Sequence, residues 1–221
     1  MEVSRVRALR GPNLWSRHTA IQAIVTCAPG ESNLAELPEF EKRLRELFPA
    51  LSGWRNQGQV SVAHALEAVA LTLQAEAGCP VTCSRTASTL DAGVYQVVVE
   101  YSEEDVGSMA FDLAEQLVNA ALSGGTFDID KALADLRELD EDVRLGPSTG
   151  SIVEAAAARG IPWRRLTKGS LVQFGWGSKQ RRIWAAEVDS TSAVAESIAQ
   201  DKDLCKRLLA SAGVPVPIGR P

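Results

Sequence analysis

The stretch whose residue types and spacing come nearest to a reactive centre is His64-Ala65-Leu66-Glu67-Ala68. An imidazole and a carboxylate three positions apart share one face of a helix. A helical zinc centre needs two imidazoles four positions apart, a further carboxylate to complete the metal, and a glutamate that activates bound water. Four residues after His64 stands Ala68, and a methyl group cannot ligate a metal. The chain's other histidine, His18, is distant in sequence and falls on a separate expected strand. A third ligand from Glu100 or Glu103 does not repair the gap, since two protein ligands hold zinc poorly. The stretch therefore reads as a degenerate metal site. His64 and Glu67 are left to packing and hydrogen bonding, and neither a catalytic residue nor a bound metal or cofactor is expected in these 221 residues.

Other residues are candidates for binding. Arg10-Gly11-Pro12-Asn13-Leu14-Trp15 sets an arginine and a tryptophan, frequent binding anchors, around turn chemistry. A structured turn with a core tryptophan is the equal alternative. Arg85, between Ser84 and Thr86, offers a planar fork to a carboxylate or makes an ordinary surface ion pair. Glu100, Glu103, Glu104 and Asp105 cluster where an expected strand meets an expected helix, and acids there suit the positive end of the helix dipole. Lys179, Arg181 and Arg182 read as a basic strand edge that discourages aggregation.

The elements that position these groups follow from periodicity. Strands are expected over residues 1–10, 18–27, 81–85 and 94–101, the last two pairing as a hairpin through the Asp91-Ala92-Gly93 turn. Helices are expected over 37–48, 60–77, 103–122, 130–138 and 148–159, the last with a Ser or Thr cap. The 60–77 helix is the most regular and ends at Gly78 with Pro80 behind it. After Gly160 the composition shifts to short strands at 162–165, 171–174 and 181–186, with helices at 192–200 and 202–212. Trp163, Trp176 and Trp184 are expected to pack this second part, some of them remaining exposed. Mixed strands and helices without strict alternation make the first part α+β, a mainly antiparallel sheet with packed helices; the second reads as a small α/β segment. Gly213-Val214-Pro215-Val216-Pro217 reads as a strand entrance, and hence as an expected truncation.

Composition narrows the function classes. Apolar residues at 45% support a packed core. A formal charge of −5 argues against blanket affinity for nucleic acid or an acidic membrane surface. No apolar run has bilayer length, and the arginines near the N-terminus have no apolar signal core behind them. Cys79 and Cys83 are too far apart for a redox pair and lack zinc partners, so with Cys27 and Cys205 they read as free thiols of a cytoplasmic protein.

Segments along the whole chain carry a family resemblance. They are Leu9-Arg10-Gly11-Pro12-Asn13-Leu14-Trp15; Gly93 to Tyr101 with Glu103, Glu104 and Gly107; Leu145-Gly146-Pro147-Ser148-Thr149; Leu171 to Gly177 with Gln180-Arg181-Arg182; and Thr191 to Ala195 with Ile198 to Lys202 and the exit at Ala212 to Pro217. In this order they resemble cyanophycin synthetases. The resemblance implies a synthetase-like N-terminal domain over residues 1–160 and the start of an ATP-grasp domain over 161–221. It implies an enzyme that uses ATP and Mg to add aspartate to a backbone and a peptidoglycan-ligase-like domain that adds arginine to the aspartate side chain. A homo-oligomer is implied for the full-length protein, and a polymer-binding role for the N-terminal domain. Against such a polymer Arg10, Asn13, Trp15, Arg85, Glu100 and Glu103 are the candidate contacts. In many members the stretch at His64 reads H-x-x-E-H, the inverted zinc signature, which implies a metal-dependent endopeptidase that trims cyanophycin into primers; Ala68 argues against that activity here. A scaffold that only positions the ligase domains is the remaining alternative.

Overall fold

A computed structural model describes residues 1–51, 60–185 and 187–219. The chain forms two compact units, Met1–Arg144 and Leu145–Pro221. The division falls before the composition shift at Gly160, because the helix at Pro147–Ala157 packs with the second unit.

In the first unit β1 (Glu2–Leu9), β2 (Ala20–Thr26), β3 (Ser84–Ser88) and β4 (Val94–Glu100) form an antiparallel sheet in the order β1-β2-β4-β3. Its helices are α1 (Pro38–Leu47), α2 (Val62–Ala77), α3 (Glu104–Ser123) and α4 (Ile129–Val143). Alternation along the strands sends Ile21, Ala23, Val25, Val97 and Val99 to one face, where they meet Leu66, Val69 and Leu73 of α2 and Phe111, Ala114 and Leu117 of α3. Each large apolar side chain buried there contributes roughly 1.5–3 kcal/mol. The other face, carrying Arg7, Gln22, Gln96, Val98 and Arg85, lies outside this core.

A bulge in β1 decides which side chains of that strand reach each face. Register shifts between Ser4 and Arg7, and Arg5 takes a positive φ of 50°. Three steps along β1 against two along β2 leave one extra residue, which resets the alternation, so that Ala8 packs on the core while Arg7 lies opposite Gln22 on the outer face.

Two departures from the sequence expectations have local causes. β3 starts at Ser84 rather than 81, because the main-chain N–H groups of Thr82 and Cys83 are taken by the Glu100 carboxylate. α4 runs on to Val143, since Leu133, Leu136, Leu139 and Val143 keep helical spacing against the core through an acidic stretch.

The second unit contains α5 (Pro147–Ala157), the strands β5 (Trp163–Arg165), β6 (Leu171–Phe174), β7 (Arg181–Trp184) and β8 (Glu187–Val188), then α6 (Ala193–Gln200) and α7 (Lys202–Ser211). The strands form an antiparallel meander in the order β5-β6-β7-β8, so this unit too is α+β rather than α/β. Its small core joins Val153, Val172 and Ile183. Gly146, not a Ser or Thr side chain, caps α5, with Pro147 supplying the first helical φ. β8 was not expected, and Ala186, the end of the expected 181–186 strand, lies outside the described residues. β8 pairs with Ile183 and Trp184 of β7 and does not extend along Arg181 and Arg182, and Lys179 lies in the turn before β7. Residues 213–217 form no strand among the described residues. No helix of the described residues is long and apolar enough to cross a membrane.

Gly107 sits where α3 presses against Tyr101: a Cβ there would stand 2.4 Å from Tyr101 Cβ. Gly107→Ala is expected to destabilise the protein by about 1–3 kcal/mol through overpacking, measured by urea denaturation. An unchanged midpoint would refute the close packing.

Candidate functional site

The residues of the degenerate metal stretch are committed to local structure. His64 is the third residue of α2, and its Nδ1 accepts from the main-chain N–H of Ser61 at 3.2 Å and lies 2.9 Å from Ser61 Oγ. The pair forms a capping box in which the imidazole takes the place of the usual glutamate. The ring meets Tyr95 edge to face, with centroids 5.8 Å apart. Glu67 Oε1 accepts from Ser84 Oγ at 2.7 Å, tying α2 to β3. Ala68 packs against the core. Glu100 belongs to the outer-face set of β4, with Gln96 and Val98, whereas Tyr95 and its partner His64 are on the helix side. The alternation of β4 thus turns Glu100 away from His64. Glu103 is the N-cap of α3. Among the described residues no group of three or more His, Cys, Asp or Glu side chains is placed to hold a metal ion. The donors present do not fit the zinc centre of the inverted signature.

The binding candidates come together around the loop that joins β1 to β2. Asn13 organises it from within: Oδ1 accepts from the N–H groups of Trp15 and Ser16 at 2.9 and 3.1 Å, and Nδ2 donates to the carbonyls of Gly11 and His18 at 3.1 and 2.8 Å. Its polar atoms are thereby used inside the loop. Arg10 makes a two-pronged contact with Glu104, Nε to Oε2 at 2.5 Å and Nη2 to Oε1 at 2.7 Å. Those hydrogen bonds and the carboxylate charge push the Arg10 pKa further up. Burial, reinforced by the Glu104 charge, raises the Tyr101 phenol to about 12.

Glu100 is only 8% exposed. Its Oε2 accepts from the N–H groups of Thr82 and Cys83, both at 2.7 Å, and its Oε1 lies 2.7 Å from His18 Nδ1. Thr19 Oγ1 donates to the Tyr101 carbonyl at 2.6 Å and closes the loop onto the end of β4.

Trp15 and Arg85, far apart in sequence, meet here: the guanidinium carbon lies 5.7 Å from the ring centroid, a cation–π contact. Strand pairing places Arg85, Val98, Gln22 and Arg7 in one row across β3, β4, β2 and β1. Arg7 Nε donates to Gln22 Oε1 at 2.9 Å, and Gln22 Nε2 donates to Gln96 Oε1 at 3.4 Å. Three strand spacings of about 4.8 Å separate the two arginines, roughly 14 Å in all. Arg7, Gln22 and Gln96 are not singled out by the sequence, and His18 only as a histidine too distant to complete a zinc site. The available signal was the pair of glutamines interrupting the apolar runs of β2 and β4, and the parity of Arg7 was hidden by the bulge.

The family model of the cyanophycin synthase-like N-terminal domain matches residues 27–123. Over these residues, somewhat less than half of the 221, the chain is similar to that domain family. The match lies within the first unit and takes in α1, α2, β3, β4 and α3. The chain is also 37% identical to the cyanophycin synthetases of Trichormus variabilis and of Geminocystis herdmanii, in each case over 99% of its own length. The synthetase of Synechocystis sp. is 34% identical over the same share. The chain spans 26% and 27% of the length of the first two relatives, about a quarter. Similarity to cyanophycin synthetases therefore covers the second unit as well as the N-terminal domain.

Burial lowers the His64 pKa from its ordinary 6.5, an effect partly opposed by the Glu67 charge. Below 6.5 the unfolded chain binds a proton at this residue that the folded chain resists. Stability from this source is full above that value and falls as pH drops through the folded pKa. An NMR titration is expected to show His64 titrating below 6.5, and His64→Gln to remove this part of the acid destabilisation. A His64 titration at or above 6.5 would contradict the buried capping role.

Proposed function

We propose that this chain is the leading part of a cyanophycin synthetase, and that its first unit binds or positions the growing aspartate–arginine polymer. The observation that carries the reading is the meeting of Arg85 and Trp15 on the sheet face outside the core, in one row with Arg7. Arginine attached to an aspartate side chain leaves each polymer unit with one free carboxylate and one guanidinium. Arg7 and Arg85 suit the carboxylates, and the two-nitrogen fork makes such pairs directional. Of the acids at the loop, Glu103 and Glu104 suit the guanidinium groups, whereas the Glu100 carboxylate is filled by Thr82, Cys83 and His18. Glu104 already holds one guanidinium, that of Arg10, in the required geometry.

On this reading the ligation chemistry is assigned to ATP-grasp and peptidoglycan-ligase-like domains of the full-length synthetase, with ATP and Mg serving them. The second unit is the opening of the ATP-grasp part, and the complete protein assembles as a homo-oligomer in the cytoplasm. Holding the polymer raises its concentration near those sites without adding chemistry.

Soluble cyanophycin segments are expected to bind the chain without being cleaved, as read by calorimetry with product analysis. The Trp15→Ala, Arg85→Ala double variant is expected to weaken binding about tenfold or more. Cleavage abolished by a chelator would replace this reading by the peptidase, and absence of both binding and cleavage would leave a scaffold.

A further inference from the structure

We propose that the outer face of the second unit's sheet is a second binding site, specific for a peptide chain that bears carboxylates. The proposal stands on residues of the second unit alone and does not depend on the role given to the first.

Charge is segregated sharply in this part of the sequence. Between Glu154 and Glu187 there is no Asp or Glu, while Arg159, Arg164, Arg165, Lys168, Lys179, Arg181 and Arg182 all fall there, in a chain whose formal charge is −5. Several of these cations are turned onto nearby carbonyls: Arg159 donates to Ala155 at 2.6 Å, Arg165 to Gly169 at 2.7 Å, and Arg181 to Gln180 at 3.1 Å. Arg164 and Arg182 are different. Strand register places them on either side of Gln173, in one row across β5, β6 and β7. Val172 and Ile183, their neighbours along the strands, enter the small core, so the row faces the other way. Both arginines are exposed, and no ion pair joins either to a carboxylate among the described residues.

Two indoles frame the row. The Arg164 guanidinium carbon lies 5.6 Å from the centroid of the Trp176 ring. Trp184, two residues from Arg182 on the same face, is 67% exposed. The next row, Leu171–Trp184–Glu187, ends the patch with an acid at β8. Two strand spacings put the arginines about 10 Å apart, within reach of one another's field at physiological salt. Like charges so placed call for an anion between them.

Gln173 narrows the choice of anion. It is 2% exposed; its Nε2 donates to the Gly175 carbonyl at 3.1 Å, and its Oε1 has no hydrogen-bond partner among the described residues. A buried acceptor left unmade is costly and calls for a donor. A phosphate chain offers anions but no N–H. A carboxylate-bearing peptide brings both, the carboxylates for Arg164 and Arg182 and a main-chain N–H for Gln173, and its flat peptide groups suit the two indoles.

The test uses the 221-residue chain, a capped oligo-aspartate peptide, and polyphosphate of matched charge. Calorimetry is expected to show the peptide binding more tightly than polyphosphate. Arg164→Ala with Arg182→Ala is expected to weaken the peptide about tenfold or more. Gln173→Leu is expected to erase the preference over polyphosphate. In the Trp15→Ala, Arg85→Ala background the peptide is still expected to shift the indole N–H signals of Trp176 and Trp184, which separates this site from that of the first unit. Should the double arginine variant fail to fold, the indole N–H signals of Trp176 and Trp184 in the unaltered protein serve instead, and both are expected to shift on peptide titration. Absence of peptide binding, equal or tighter binding of polyphosphate, or peptide-induced shifts confined to other residues would overturn the proposal.

Discussion

The Glu100 carboxylate ties the start of β3 to the end of the β1–β2 loop. A carboxylate at 8% exposure is destabilising unless its lone pairs are filled. Here two main-chain N–H groups and an imidazole fill them, and hydrogen bonds to a charged acceptor are worth roughly 1.5–3 kcal/mol each. The same residue's carbonyl accepts from Gln74 Nε2 of α2 at 2.9 Å. One residue therefore fixes where β3 begins, anchors the loop carrying Arg10, Asn13 and Trp15, and secures α2 to the sheet. The meeting of Trp15 with Arg85 depends on that loop being held.

The elements were largely legible because their signals are local. The 60–77 periodicity, the Gly93 turn and the β-branched run at 94–100 give α2 and the β3–β4 hairpin with small boundary shifts. What escaped depends on partners distant in sequence. The start of β3 is set by a side chain on β4, and the length of α4 by apolar residues dispersed among acids. The row from Arg7 to Arg85 requires both strand order and the β1 bulge, and neither is written in any short stretch. The basic residues of the second unit are visible in the sequence, but the row that joins Arg164 to Arg182 needs the register of β5, β6 and β7.

The stretch at His64 supports the fold through its polar atoms. The imidazole fills a main-chain donor at the helix start that would otherwise lack a partner. The glutamate beside it fastens the helix to β3 through Ser84. Residue types that read as chemistry in the sequence are thus supports in the fold. Spacing alone leaves both roles open; the fold adds the contacts of His64 with Ser61 and of Glu67 with Ser84.

The irregularity at Arg5 in β1 carries a consequence for how this strand tolerates change. Substitutions at Arg7 or Ala8 alter one face at a time. Loss of a single residue at the bulge would exchange the two, driving a guanidinium into the apolar interior and presenting a methyl group to solvent. Length at this point is therefore under stricter constraint than residue identity, and a lineage could vary the outer face freely by replacement but not by insertion or deletion.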